Sequence, residues 1–149
     1  MKILKTLFYI FFPLLVGTLV GIATRPYIEY NTLNKPIFSP PSIVFPIVWS
    51  ILYLLIGISY YLFKRKDDDF KTTYVYYLQL FVNYLWSFIF FVFQYYFFSI
   101  IWIILLDVLV VILFILYLKK NKVSAYLIIP YMIWLLIATY LTIGIYILN

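Results

Sequence analysis

The sequence contains no cysteine and no histidine. Their absence excludes disulfides, thiolate nucleophiles and every zinc or haem centre that needs imidazole or thiolate ligands. It also removes the usual general base near neutral pH, so a conventional hydrolase is not expected. No metal site follows from the remaining residues, and the redox compartment stays open. Charge is scarce as well, at 11% of residues against about 25% in ordinary soluble domains. Hydrophobic residues fill the space, at 67% of the chain with a mean hydropathy of +1.08. A soluble fold cannot hide that much apolar surface, so the composition is that of an integral membrane protein. The net charge of +6 does not point to nucleic acid, because the charges fall in short loops between apolar runs.

The apolar runs divide a single domain, residues 1–149, into an all-α bundle of five transmembrane helices. Each must reach about 20 residues to cross a bilayer. The expected helices cover about 6–24, 42–63, 73–94, 100–118 and 124–148. A signal peptide is the alternative for the first, since Lys2 and Lys5 precede it. No small-residue cleavage pattern closes it and more spans follow, so a retained helix is preferred. Gly17 and Gly21 form a GxxxG in this helix, which serves either a close contact within the chain or the seam of a homodimer. Residues 25–41 form a loop with four prolines, Pro26, Pro36, Pro40 and Pro41. Between Thr72 and Leu118 only Asp107 is charged, so that stretch must turn back on itself. No Gly or Pro marks the turn, which is placed near 95–99. Pro130 is expected to bend the last helix.

Five spans put the termini on opposite sides. Lys2, Lys5, Lys64, Arg65, Lys66, Lys71, Lys119, Lys120 and Lys122 fall on the N-terminal side, against Arg25 and Lys35 on the other. The positive-inside rule then places the N-terminus in the cytoplasm and the proline loop and C-terminus outside, in a prokaryotic cell membrane.

The chemistry-bearing residues lie within spans. Trp49 and Tyr53 are four apart and share one helix face. Asn83, Trp86, Ser87 and Phe90 also share a face, and a mid-span amide must point inward to find a partner. That partner is either another helix or a ligand. Trp134, Ala138 and Leu141 form a further stripe, which serves helix packing or a ligand wall. Asp107 is the sole acid within a span; a protonated, hydrogen-bonded structural role is weighed against ligand binding or proton transfer, and it could face the Asn83 surface.

Three of these stretches resemble one family. Residues 35–63, KPIFSPPSIVFPIVWSILYLLIGISYYLF, are similar to the signature loop and second helix of the TspO/MBR family, the tryptophan-rich sensory proteins of bacteria and translocator proteins of mitochondria. Lys35, Pro36, Pro40, Pro41, Phe45, Trp49, Leu52, Tyr53 and Gly57 fit that pattern. NYLWSFIFF resembles the third-helix pattern through Asn83, Trp86, Ser87, Phe90 and Phe91. The last helix is similar through Pro130, Tyr131, Trp134, Ala138, Thr139 and Leu141. Many members carry Trp just after the Pro-Pro pair and Gly-Pro before the second-helix Trp. Here Ser42–Ile43 and Pro46–Ile47 stand there, so a differently shaped entrance is expected.

The resemblance implies a membrane receptor for tetrapyrroles, protoporphyrin IX and haem among them, with light- and oxygen-dependent porphyrin breakdown as the associated activity. Trp49 and Trp134 would be the stacking, redox-active walls. Asn83 and Ser87 would orient a polar group, while Tyr30, Pro40, Phe45, Tyr53, Phe90, Ala138 and Leu141 complete the cavity. No cofactor is required, porphyrin or haem being the ligand. The partners implied are that ligand, the lipid bilayer and a second copy of the chain. The alternative is a transporter of porphyrins or other small hydrophobic ligands.

Overall fold

The computed structural model describes residues 2–67 and 69–149. Five spans are present, long and apolar enough to cross a membrane: Lys2–Tyr27, Val44–Lys66, Phe70–Val92, Tyr96–Lys120 and Lys122–Leu148. Among the described residues there is no strand. Helix α1 covers Lys2–Thr24 and passes through Pro13 before a 3₁₀ turn, Arg25–Tyr27. Helix α2 covers Val44–Lys66, and α3 covers Phe70–Ser87 before widening into a π turn, Phe88–Val92. Helix α4 covers Tyr96–Lys120, α5 Lys122–Leu127 and α6 Ile129–Leu148.

The reversal between the third and fourth spans lies at 93–95, earlier than the 95–99 expected. Gln94 itself takes the left-handed conformation, at φ 56°. The Tyr95 N–H then reaches back to the Ile89 carbonyl at 3.1 Å, a six-residue closure that ends a helix without glycine. The last span, Lys122–Leu148, is bent near Pro130 as expected. It breaks at Ile128, because Pro130 has no N–H to continue the ladder.

The helices pack around a ring in the order α1, α2, α5–α6, α4, α3, with α3 returning to α1. The tightest crossing is α1 on α2. Gly57 lies against the Tyr9 and Ile10 carbonyls of α1, and any Cβ there would strike the Ile10 backbone. Pro13 contributes to this approach, since its missing N–H leaves the Tyr9 carbonyl without its helical donor. A turn further along, the Tyr53 ring covers Gly17, where a Cβ would meet it at 2.5 Å. The Gly17 side of the GxxxG is thus spent on a contact within the chain. A Cβ on the Gly21 side of the same motif would meet no other part of the chain within 4 Å.

The N-terminal half of the bundle is solid. Tyr60, Phe63, Tyr76 and Tyr117 are fully buried there. The Tyr60 and Tyr76 rings stack 4.0 Å apart at 7°. Asp69 caps α3 by accepting from the Thr72 N–H at 3.2 Å and its hydroxyl at 2.7 Å. Asn121 caps α5 at 3.1 Å and also donates to the Leu62 carbonyl at 3.2 Å.

Candidate functional site

The other half is hollow, for a reason rooted in the break at Ile128. Helix α5 packs on α2, while α6 leans on α4 and meets α2 at few points. The wedge between α2 and α6, closed by α1 and α3, holds a cavity of about 610 Å³. That volume is in the range of small-molecule sites, roughly 300–1,000 Å³. Of the residues expected at the site, Tyr30, Phe45, Trp49, Tyr53, Ser87, Phe90, Trp134, Ala138 and Leu141 all line it. Both indoles therefore face one chamber, although one lies on α2 and the other on α6.

Ring geometry sets the walls. Trp49 stacks on Tyr53 at 5.2 Å and 27°. Phe45 meets Trp134 edge-on at 5.6 Å and Tyr30 edge-on at 5.0 Å. On the α3 side Trp86 stacks on Phe90 at 4.9 Å and 15°. The π turn begins directly after this helix and swings Phe90 and Phe91 onto the wall. The α1 wall is nearly featureless, and a Cβ on Gly21 would meet nothing within 4 Å. Gly21, Pro46 and Ser50 are exposed although they line the cavity, so it opens sideways between α1 and α2.

Two residues on the chamber wall, Trp86 and Trp134, carry buried indole nitrogens without a partner. A buried N–H left unpaired costs about 1–3 kcal/mol. Such donors are satisfied when a guest brings an acceptor. Sequence reasoning singled out Trp134 but left Trp86 off the wall; its place beside Ser87 and Phe90 on one face was the available signal. Leu14, Gly17, Thr18 and Gly21 of α1 were missed outright, because nothing in an apolar helix marks which face meets a cavity.

Two expected site residues are not on the wall. Asn83 lies behind it, its amide fully engaged. Its oxygen accepts from the Tyr53 hydroxyl at 2.7 Å, and its nitrogen donates to the Tyr131 hydroxyl at 2.7 Å. Tyr131 in turn donates to the Gln79 side-chain oxygen at 2.8 Å. Asn83 thus ties α2, α3 and α6 together and fixes Tyr53, rather than orienting a ligand directly. Pro40 also sits outside the wall, where its carbonyl accepts from the Tyr30 hydroxyl at 2.7 Å and holds that ring over the chamber. Lys35 braces the same ring, 4.8 Å above it, while donating to the Tyr30 and Leu33 carbonyls at 3.1 and 3.3 Å.

Among the described residues Asp107 makes no hydrogen bond to Asn83, whose amide is held by Tyr53 and Tyr131. It pairs α4 with α6 through Thr139, whose hydroxyl lies 2.7 Å from the carboxyl and 2.8 Å from the Leu135 carbonyl. One hydroxyl proton serves one of two acceptors, so both contacts are complete when the carboxyl carries its own proton. Among the described residues no cluster of three or more His, Cys, Asp or Glu could hold a metal.

Comparison with known proteins agrees with this architecture. Residues 9–148 match the model of the TspO/MBR family. The chain is 35% identical to the tryptophan-rich protein TspO of Archaeoglobus fulgidus over 153 aligned positions, covering 100% of this chain and 99% of that one. It is 31% identical to the protein of the same name from Chlorobaculum tepidum, covering 80% of this chain and 78% of that one. A third, from Bacillus cereus, is 32% identical, with 80% of each chain covered.

Proposed function

This chain belongs to the TspO/MBR family, and on that premise we propose that its cavity is a receptor site for a tetrapyrrole such as protoporphyrin IX or haem. One observation carries the reading: Trp86 and Trp134, whose indole donors have no partner within the chain, both line a single aromatic chamber of about 610 Å³. A flat apolar macrocycle suits walls built from Trp49, Trp134 and the Trp86–Phe90 stack. Its peripheral oxygens would give the two N–H groups the acceptors they lack. Tyr30 closes the loop end, and the sideways opening between α1 and α2 lets an apolar guest arrive from the bilayer.

The same walls support porphyrin breakdown under light and oxygen. An excited porphyrin lying against an indole takes an electron from it and passes that electron to dioxygen as superoxide. The indole radical cation then recovers an electron from the porphyrin ring, and the porphyrin radical cation combines with superoxide, so the net step adds dioxygen to the ring. Trp49 and Trp134 are the indoles for this step, and Asn83 supports it only through Tyr53. Orientation follows the charge count, with the solid, lysine-rich end in the cytoplasm.

Porphyrin titration followed by absorbance tests the binding. Trp86→Phe and Trp134→Phe keep a ring but remove a donor, each worth about 0.5–1.5 kcal/mol. Affinity should fall by roughly two- to tenfold per donor. Unchanged affinity in both variants sinks the donor assignment. Illumination with bound porphyrin tests the chemistry, since undiminished porphyrin loss after Trp49→Phe and Trp134→Phe removes the indoles from the reaction.

A further inference from the structure

We propose that the turn running from Pro36 to Pro41 is seated in the bilayer leaflet on the loop side, with Ile37 and Phe38 against lipid acyl chains. The chain descends the flank of α6 in three steps. Asn34 bonds Asn149 at the helix end, the Asn149 amide donating to the Asn34 carbonyl at 2.8 Å. Pro36 then occupies the notch left by Gly144, which any Cβ would fill. The Ile37 carbonyl finally accepts from the Tyr140 hydroxyl at 2.6 Å. Tyr140 stands eight residues before Leu148, about 12 Å down the helix axis. Helical side chains lean toward the N-terminus, which carries the Tyr140 hydroxyl no shallower than that.

Most of the carbonyls of the tip are served without water. Irregular backbone at membrane depth survives only where its polar groups are served. Three prolines remove three N–H donors from this turn. Four of the six carbonyls from Pro36 to Pro41 are capped from within the chain: Pro36 by the Ser39 hydroxyl at 2.6 Å, Ile37 by Tyr140, Pro40 by Tyr30 at 2.7 Å and Pro41 by the Val44 N–H at 3.1 Å. Between these fixed points Ile37 and Phe38 project outward, 72% and 89% exposed. Phe38 does so at φ 67°, a left-handed conformation that disfavours side chains. In water a glycine or asparagine would serve better there. The apolar belt of α6, exposed at Leu136, Ile137 and Ile143, continues directly into the tip, so the surface it joins is the lipid-facing one.

The absence of native cysteine allows a clean test. Phe38→Cys carries a nitroxide label in the full-length protein in lipid nanodiscs, with Ile37→Cys as a second probe. Asn31→Cys in the exposed part of the loop and Leu136→Cys on the lipid face of α6 give the aqueous and lipid references. Both tip positions are exposed, so folding is not at stake. The ratio of collision with dissolved oxygen to collision with a water-soluble nickel chelate is expected to lie near the Leu136→Cys value and well above that of Asn31→Cys. Ratios at both tip positions nearer to that of Asn31→Cys overturn the proposal. The measurement uses protein without porphyrin, so its outcome does not depend on the tetrapyrrole reading.

Discussion

Glycine shows how one atom decides a membrane contact. At Gly57 an added Cβ would overlap the Ile10 backbone, which cannot step aside, whereas at Gly21 it would enter open space. Gly→Ala in a helix returns about 1 kcal/mol of propensity, but overpacking costs about 1–3 kcal/mol or more. Overpacking wins at Gly57 and propensity at Gly21. Thermal unfolding in detergent should therefore show Gly57→Ala lowered and Gly21→Ala unchanged or raised; the reverse order would mean that α1 does not pack on α2 through this glycine. The same scale marks the limits of the sequence. Trp49 and Trp134 were named as walls through the family resemblance, because an aromatic stripe at helical spacing serves helix packing as readily as a ligand wall. Asn83 was legible as inward-facing but not in its role, since its partners, Tyr53 and Tyr131, come from two other helices. Spacing along one helix carries no information about which neighbour supplies an acceptor.

Whole spans were written plainly in the hydropathy, because roughly 20 apolar residues between charged loops admit few other readings. Their irregularities were not. The π turn at Phe88–Val92 and the left-handed Gln94 use residues with no marked preference for either. Pro130 signalled a bend, and the bend falls at Ile128, the single residue between α5 and α6. Restoring the missing donor tests its purpose. In the first turn of α6 the missing N–H costs little, but in one continuous rod it would cost about 3 kcal/mol, so Pro130→Ala draws the last span toward that rod and narrows the wedge. Stability should rise while porphyrin affinity falls, read by thermal unfolding and by titration; unchanged affinity would separate the cavity from the break. At the start of α3 the Asp69 carboxyl is held below its ordinary range, chiefly by the Thr72 hydroxyl. A lowered folded value means that its contribution is present above the ordinary carboxylate range, near pH 3.9, and is lost as pH falls through the folded value. Asp69→Asn keeps the acceptor without the titration, so its unfolding temperature should lose less than the parent's on acidification over that interval.

The molecule as a whole is two halves with opposite packing. On the loop side α2 and α6 part around the chamber. On the N-terminal side Tyr60 and Phe63 of α2, Tyr76 of α3 and Tyr117 of α4 fill the interior. A carrier that delivers its guest across the bilayer must open that second half, which means unstacking Tyr60 from Tyr76 and exposing four large rings. Burying one such side chain is worth about 1.5–3 kcal/mol, so the opened state lies several kcal/mol above the closed one and is sparsely occupied. Binding needs none of this, because the chamber already opens sideways between α1 and α2. Vesicles reconstituted with the protein in one orientation should therefore take up porphyrin into the bilayer and the chamber without faster appearance in the lumen than protein-free vesicles. Lumenal porphyrin trapped by albumin gives the readout. Accelerated arrival, abolished by bulky substitution at Gly21, would instead require that the tyrosine-packed half opens in each cycle and would favour the carrier over the receptor.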